Sequence, residues 1–233
     1  MTRAEFGYML GENTKSPHGY PSMNIRLSIA CLATVLGVAA APPALAADNA
    51  ERVRQVAGSA ADFEKASQAG KKAAFFCVNC HGEDGNSAYD YIPNLAGQNA
   101  VYLLNQIEKF ADGRRQDEFM SGLIKVLKPE DRFNMALYYS GETVKTAVVK
   151  DSKQVAHGQQ IYERACKSCH GAQGYGNEKI ARLAGQQPVY LKKALEDYRA
   201  SVKLRKDPIM GSIARRLKDA DIDALAAYIP TMK

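Results

Sequence analysis

Two stretches of this chain repeat each other about ninety residues apart, and that repeat limits what the chain can fold into. Cys77-Val78-Asn79-Cys80-His81-Gly82 returns as Cys166-Lys167-Ser168-Cys169-His170-Gly171, at an offset of 89. Leu95-Ala96-Gly97-Gln98 returns as Leu183-Ala184-Gly185-Gln186, and Val101-Tyr102-Leu103 as Val189-Tyr190-Leu191. Met120-Ser121-Gly122-Leu123 returns loosely as Met210-Gly211-Ser212-Ile213. Four matched blocks in one order indicate a duplication. Each unit is about 90 residues, too small to bury a comfortable core without a staple. The seam falls in the polar stretch 141–153.

Ahead of the repeat, residues 27–41 form a 15-residue apolar run. Asn24-Ile25-Arg26 supplies a short positive flank, and Ala44-Leu45-Ala46 is a small-residue cleavage site. The run is shorter than the roughly 20 residues that span a bilayer. It reads as a secretory signal over 23–46, with Met23 as its natural start and residues 1–22 as an upstream extension. An uncleaved anchor is the alternative. Cys31 lies inside the run and leaves with it. The domain plan is therefore 1–46 extension and signal, 47–145 first domain, and 146–233 second domain.

The apolar spacing of both units is helical. Residues 62–76 and 152–165 lead into the cysteines. Residues 100–111 carry Val101, Leu104, Ile107 and Ala111 on one stripe, and their partner starts at Pro188, a favourable first-turn position. The last helix of the first unit spans 129–141; its partner begins with Asp219 as N-cap. No alternating strand pattern is present, so the expected class is all-α. Gly70 and Gly158 sit 7 and 8 residues before the first cysteine of each motif. They allow a close helix approach against Tyr138 and Tyr228, or merely mark helix starts.

In Cys-x-x-Cys-His, two thiols on one helical turn can form thioethers to haem vinyl groups, and the adjacent histidine reaches the iron. The motifs therefore predict two covalently bound haem c groups, attached through Cys77 and Cys80 and through Cys166 and Cys169. A four-thiolate zinc site is an alternative, but 85 residues separate the pairs, far beyond ribbon spacing. A redox-active Cys-x-x-Cys wants a strand–helix context, and a disulfide across so short a loop is strained.

Counting restricts the iron ligands. The exported chain holds only His81, His157 and His170, so two haems cannot both be bis-histidine. The thioether of methionine is the remaining soft donor. Met120 lies 39 residues after His81 and Met210 lies 40 after His170, at equivalent places in the repeat. Met135 falls on an apolar helix stripe, Met232 has no counterpart, and His157 opens a helix. The axial pairs are thus His81/Met120 and His170/Met210. His/Met ligation closes both axial positions, which argues for an electron carrier and against a peroxidase. The Pro93 carbonyl, and Ala181 in its place in the second unit, are candidates to accept the far ring proton of each histidine. Tyr102, Tyr190 and nearby arginines are candidates for the haem propionates.

Taken with Asp84-Gly85-Asn86, these motifs resemble class I c-type cytochromes, and the tandem arrangement resembles the dihaem cytochrome c4 family. The resemblance covers about residues 60–230. It implies two small helical domains, each wrapped around a covalent haem, exported to the periplasm. It also implies electron transfer toward a membrane terminal oxidase, and Met120 and Met210 as ligands. The alternative function is the dihaem subunit of a dehydrogenase complex, such as a flavocytochrome sulfide dehydrogenase. Ala181 departs from the proline usual in this fold, and the segment before Met210 is two residues longer than its counterpart.

Charge bears on partners. The formal charge of +6 is too mild to argue for nucleic acid. Residues 47–150 carry −1 and residues 151–233 carry +6, so the positive charge belongs to the second unit. Lys203, Arg205 and Lys206 precede Met210, and form either a docking patch for an acidic redox partner or a solvated loop. Peripheral membrane association is compatible with that charge.

Overall fold

Each unit is built on a helix pair that crosses at a glycine. The computed structural model describes residues 44–146, 152–200, 205 and 207–233. Helix α1 spans Ala44–Ala57, α2 Ala60–Ala73, α3 Val78–His81, α4 Ala100–Ala111, α5 Glu118–Lys125 and α6 Pro129–Gly141. The second unit follows with α7 Ser152–Ala165, α8 Lys167–His170, α9 Pro188–Ala200, α10 Pro208–Ala214 and α11 Asp219–Tyr228. No strand occurs among the described residues.

Helix α2 begins where Ser59 Oγ accepts from the Asp62 N–H at 3.3 Å, and Lys71 and Lys72 suit the negative end of its dipole. It packs on α6, which starts on Pro129 with Glu130 and Asp131 in its first turn. At the crossing a Cβ on Gly70 would lie 2.1 Å from the Asn134 carbonyl oxygen and 2.8 Å from Tyr138 Cβ. The pair α7 and α11 repeats this: a Cβ on Gly158 would lie 2.0 Å from the Ala224 oxygen and 2.7 Å from Tyr228 Cβ. Of the two readings of these glycines, the close approach is the one the structure has. Leu104, Phe133, Ala136 and Leu137 fill the first core. Ile161, Tyr162, Ile222 and Leu225 fill the second.

Several elements differ from the sequence expectation. Helix α2 ends at Ala73, and a 3₁₀ turn over Ala74–Phe76 delivers the chain to Cys77. Asp219 is the first helical residue of α11, not its N-cap; the cap is Lys218, whose N–H donates to Asp221 Oδ2 at 2.9 Å. Helices α5 and α10, which carry Met120 and Met210, were not anticipated because each is barely two turns long. Helix α1 crosses the expected cleavage point at Ala46 and buries Val53 in the first core. The apolar run itself lies outside the described residues.

The halves meet through the loops that hold the Leu-Ala-Gly-Gln blocks. Gln98 Oε1 accepts from the Arg182 N–H at 2.7 Å, and its Nε2 donates to the Arg182 carbonyl at 3.0 Å. Gln186 does the same to Asn94, at 2.7 and 3.0 Å. Both glutamines are buried, and leaving a buried amide group unpaired costs about 1–3 kcal/mol. Val144, beyond the end of α6, wedges between the two blocks. A Cβ on Gly97 would lie 2.5 Å from Val144 Cγ2, and one on Gly185 would lie 2.3 Å from Cγ1. Asn86 pins this segment by donating to the Thr143 carbonyl at 2.9 Å and accepting from the Lys145 N–H at 2.8 Å.

Gly70→Ala and Gly158→Ala are each expected to lower the unfolding free energy of the haem-loaded protein by about 2 kcal/mol or more, because backbone must move to admit the methyl. Guanidinium unfolding measures this. An unchanged midpoint would show that the helix pairs separate freely.

Candidate haem-binding sites

The cysteine motifs sit on single helical turns. His81 N–H and Cys80 N–H both bond back to the Cys77 carbonyl, at 2.9 and 3.2 Å, so the two thiols share one side of the turn. The turn stops because Gly82 adopts φ +82°. The second motif has the same bonds, from His170 and Cys169 to the Cys166 carbonyl, and ends at Gly171 with φ +83°. No disulfide joins the four motif cysteines. Burial pushes the Cys77 thiol up, and pushes Cys166 up to about 12. A redox-active cysteine needs the opposite shift, so that alternative has no electrostatic support. Among the described residues no three His, Cys, Asp or Glu side chains converge on a metal site, so the four-thiolate arrangement has no geometry either.

Both motif histidines are buried, and each gives its Nδ1 to a backbone carbonyl. His81 Nδ1 is 2.8 Å from the Pro93 oxygen, and His170 Nδ1 is 2.9 Å from the Ala181 oxygen. A carbonyl can only accept, so Nδ1 carries the proton and Nε2 keeps its lone pair. Burial lowers the pKa of both rings, against the carbonyl bonds that raise it, so both rest neutral at pH 7. A neutral imidazole with Nε2 free, beside two thiols on one turn, fits a covalently attached haem. Glycines hold the carbonyl loops in place: the Gly85 oxygen accepts from Leu95 and Ala96, and the Gly174 oxygen from Leu183 and Ala184.

The methionines also occupy matched positions. Asp117 caps α5 by accepting from the Met120 N–H at 2.9 Å, and Asp207 caps α10 by accepting from the Met210 N–H at 2.9 Å. This pair of caps was missed in the sequence, where Asp three residues before each Met was the available signal. Met120 and Met210 are half-buried, whereas Met135 and Met232 belong to the two cores. His157 is exposed, 3.8 Å from Asp221.

An aromatic and cationic cluster lies at the seam. Tyr190 OH accepts from Arg205 and, at 3.3 Å, from Arg115; Tyr198 OH accepts from Arg205 at 3.2 Å. Burial pushes the Tyr190 phenol up, but the two guanidiniums outweigh it and hold it below the usual tyrosine range. Arg205 is therefore packed among phenols, not displayed on a surface. Of the expected docking patch, Lys203 and Lys206 lie outside the described residues. Burial pushes the Tyr102 phenol up, against the nearby charge of Arg205 and Arg115.

The cytochrome c family model matches twice, over residues 67–138 and 155–233. Cytochrome c4 of Pseudomonas aeruginosa is 34% identical over 173 residues, covering 69% of this chain and 86% of that protein. The thiosulfate dehydrogenase electron acceptor of Thiomonas intermedia is 32% identical over 168 residues, covering 66% of this chain and 76% of that protein. The crystal structure of reduced recombinant cytochrome c4 from Pseudomonas stutzeri superposes with a TM-score of 0.67 at 29% identity, covering 72% of this chain and 98% of that one. With two matched haem-binding units and these likenesses over most of its length, the chain belongs to the cytochrome c4 family of dihaem electron-transfer proteins.

Proposed function

We propose that this protein is an exported carrier that takes electrons from one respiratory partner and delivers them to another, with a membrane terminal oxidase as the acceptor. The observation that carries this reading is the matched pair of buried neutral histidines, each with a methionine-bearing helix at the equivalent place in the repeat. The two domains run over 47–145 and 146–233, after a signal over 23–46 that directs the chain to the periplasm. Each bound haem c supplies a one-electron iron couple.

The residues of the chain do the rest. Cys77 and Cys80, and Cys166 and Cys169, hold the two groups covalently. His81 and His170 would ligate iron through Nε2, while the Pro93 and Ala181 carbonyls fix the rings and raise their basicity. Met120 and Met210 would supply the second donor to each iron, a soft thioether that favours the reduced state. Two protein donors at each iron would leave no site for oxygen or peroxide, and the chemistry would be outer-sphere transfer. The excess positive charge of the second domain suits encounter with an acidic partner and weakens with salt.

A second reading rests on the Thiomonas intermedia relative, whose name makes it the electron acceptor of a dehydrogenase. On that reading the protein stays bound to a dehydrogenase, with thiosulfate as the oxidised compound in place of the sulfide expected from sequence. Co-purification from membranes with haem-stained gels separates the two: a carrier releases at moderate salt, a subunit travels with its catalytic partner.

Met120→Ala and Met210→Ala are each expected to remove about half of the methionine-to-iron band at the red end of the visible spectrum, and to lower the potential of the altered haem. The double variant should lose the band. A band of full strength in either single variant would move the ligand to Met135 or Met232.

A further inference from the structure

Each glutamine of the paired Leu-Ala-Gly-Gln blocks reaches the histidine site of the opposite domain. The Arg182 N–H that donates to Gln98 Oε1 at 2.7 Å belongs to the same peptide group as the Ala181 carbonyl. That carbonyl accepts the His170 Nδ1 proton at 2.9 Å. The mirror arrangement holds in the first domain. The Asn94 N–H donates to Gln186 Oε1 at 2.7 Å, and the Pro93 carbonyl of that same peptide accepts from His81 Nδ1 at 2.8 Å. Both glutamines are buried, and each also holds the next carbonyl along through its Nε2, at 3.0 Å. A continuous chain therefore runs from Gln98 in the first domain to His170 in the second, and from Gln186 in the second to His81 in the first.

We propose that Gln98 and Gln186 are positioning residues that act across the seam, each setting the orientation and acceptor strength of the carbonyl that holds the ligand histidine of the other domain. This rests on the reading of His81 and His170 as axial ligands. The physical basis is amide resonance. A peptide whose N–H is engaged by a good acceptor carries more negative charge on its oxygen, and hydrogen bonds in a chain reinforce one another. A stronger carbonyl acceptor draws the Nδ1 proton and makes Nε2 the better donor to iron. A better donor stabilises ferric iron and lowers the potential. Each domain thus holds down the potential of the other's haem, and the potentials of the docked pair differ from those of the separated halves.

The test uses the full dihaem protein with Q98M or Q186M, which keep side-chain length and remove both amide bonds. Haem-resolved redox titration by NMR reads each potential, and exchange of the histidine Nδ1 proton reads the hydrogen bond. Q98M is expected to raise the potential of the second-domain haem and speed exchange at His170, with the first haem unmoved. Q186M should do the converse at the first haem and His81. Shifts confined to the haem of the variant's own domain, equal shifts at both haems, or no shift at either would overturn the proposal. Equal shifts are what mere loosening of the interface produces.

If the methionine variants do not mature, Q98E and Q186E serve, because a carboxylate keeps an acceptor for the same N–H. They should lower the opposite haem's potential more than their own, and an equal or larger fall at their own haem overturns the proposal. The wild-type spectrum keeps the two readings apart. A wild-type protein without the methionine-to-iron band sinks the ligation reading and this proposal with it. One with the band and with uncrossed shifts sinks this proposal alone.

Discussion

The absence of a side chain at Gly70 and Gly158 is the constraint on which the rest of the structure hangs. It lets α2 lie directly on the backbone of α6, and α7 on that of α11. Helices α2 and α7 end at Ala73 and Ala165, and the cysteine turns follow within a few residues. It also presents the far end of α6 to the carbonyl loop: the Gly97 N–H donates to the Tyr139 oxygen at 2.9 Å, and the Gly185 N–H to the Ile229 oxygen at 3.3 Å. Histidine and carbonyl therefore come together because both are hung from one helix crossing. A pair of small cores of this kind gains little from area alone, so precise contacts of backbone on backbone carry more of the specificity.

Duplication made the seam self-complementary. The same block in each half offers a glutamine side chain and a peptide edge, so each half satisfies the other. The match is not perfect. Asn94 in the first domain adds bonds of its own, to the Ser87 N–H at 2.8 Å and the Gly185 carbonyl at 2.8 Å. Its counterpart Arg182 instead lays its guanidinium over the Tyr175 ring at 4.4 Å. Pro93 against Ala181 adds a second difference, since proline restricts the backbone around the accepting carbonyl. Two haem-binding units that began alike thus sit in unlike surroundings.

Much of the candidate site was legible in the sequence. Cys-x-x-Cys-His has a fixed local geometry, so its chemistry survives without knowledge of the tertiary fold. The repeat then paired each histidine with a methionine by position. The glycines at 70 and 158 were legible as an option, because a missing Cβ is a local property whose use depends on a neighbour. The carbonyls of Pro93 and Ala181 were legible for the same reason in reverse: a ligand histidine needs an acceptor, and the loop after it is the near supply. The helices carrying Met120 and Met210 were not legible, since two turns give too few residues to show a period. The packing of Arg205 against Tyr190 and Tyr198 was not legible, because sequence reports charge but not what a side chain packs on.

What the sequence alone determined is the set of reactive groups and their pairing by repeat, because covalent spacing within one turn and position within a duplication need no three-dimensional context. What only the tertiary structure decided is the seam. Gln98 and Arg182 are 84 residues apart, and Gln186 and Asn94 are 92 apart, so no local rule joins them. Their bonds exist because two folded halves bring a side-chain amide against a peptide edge, and that contact is a property of packed surfaces, not of neighbours along the chain.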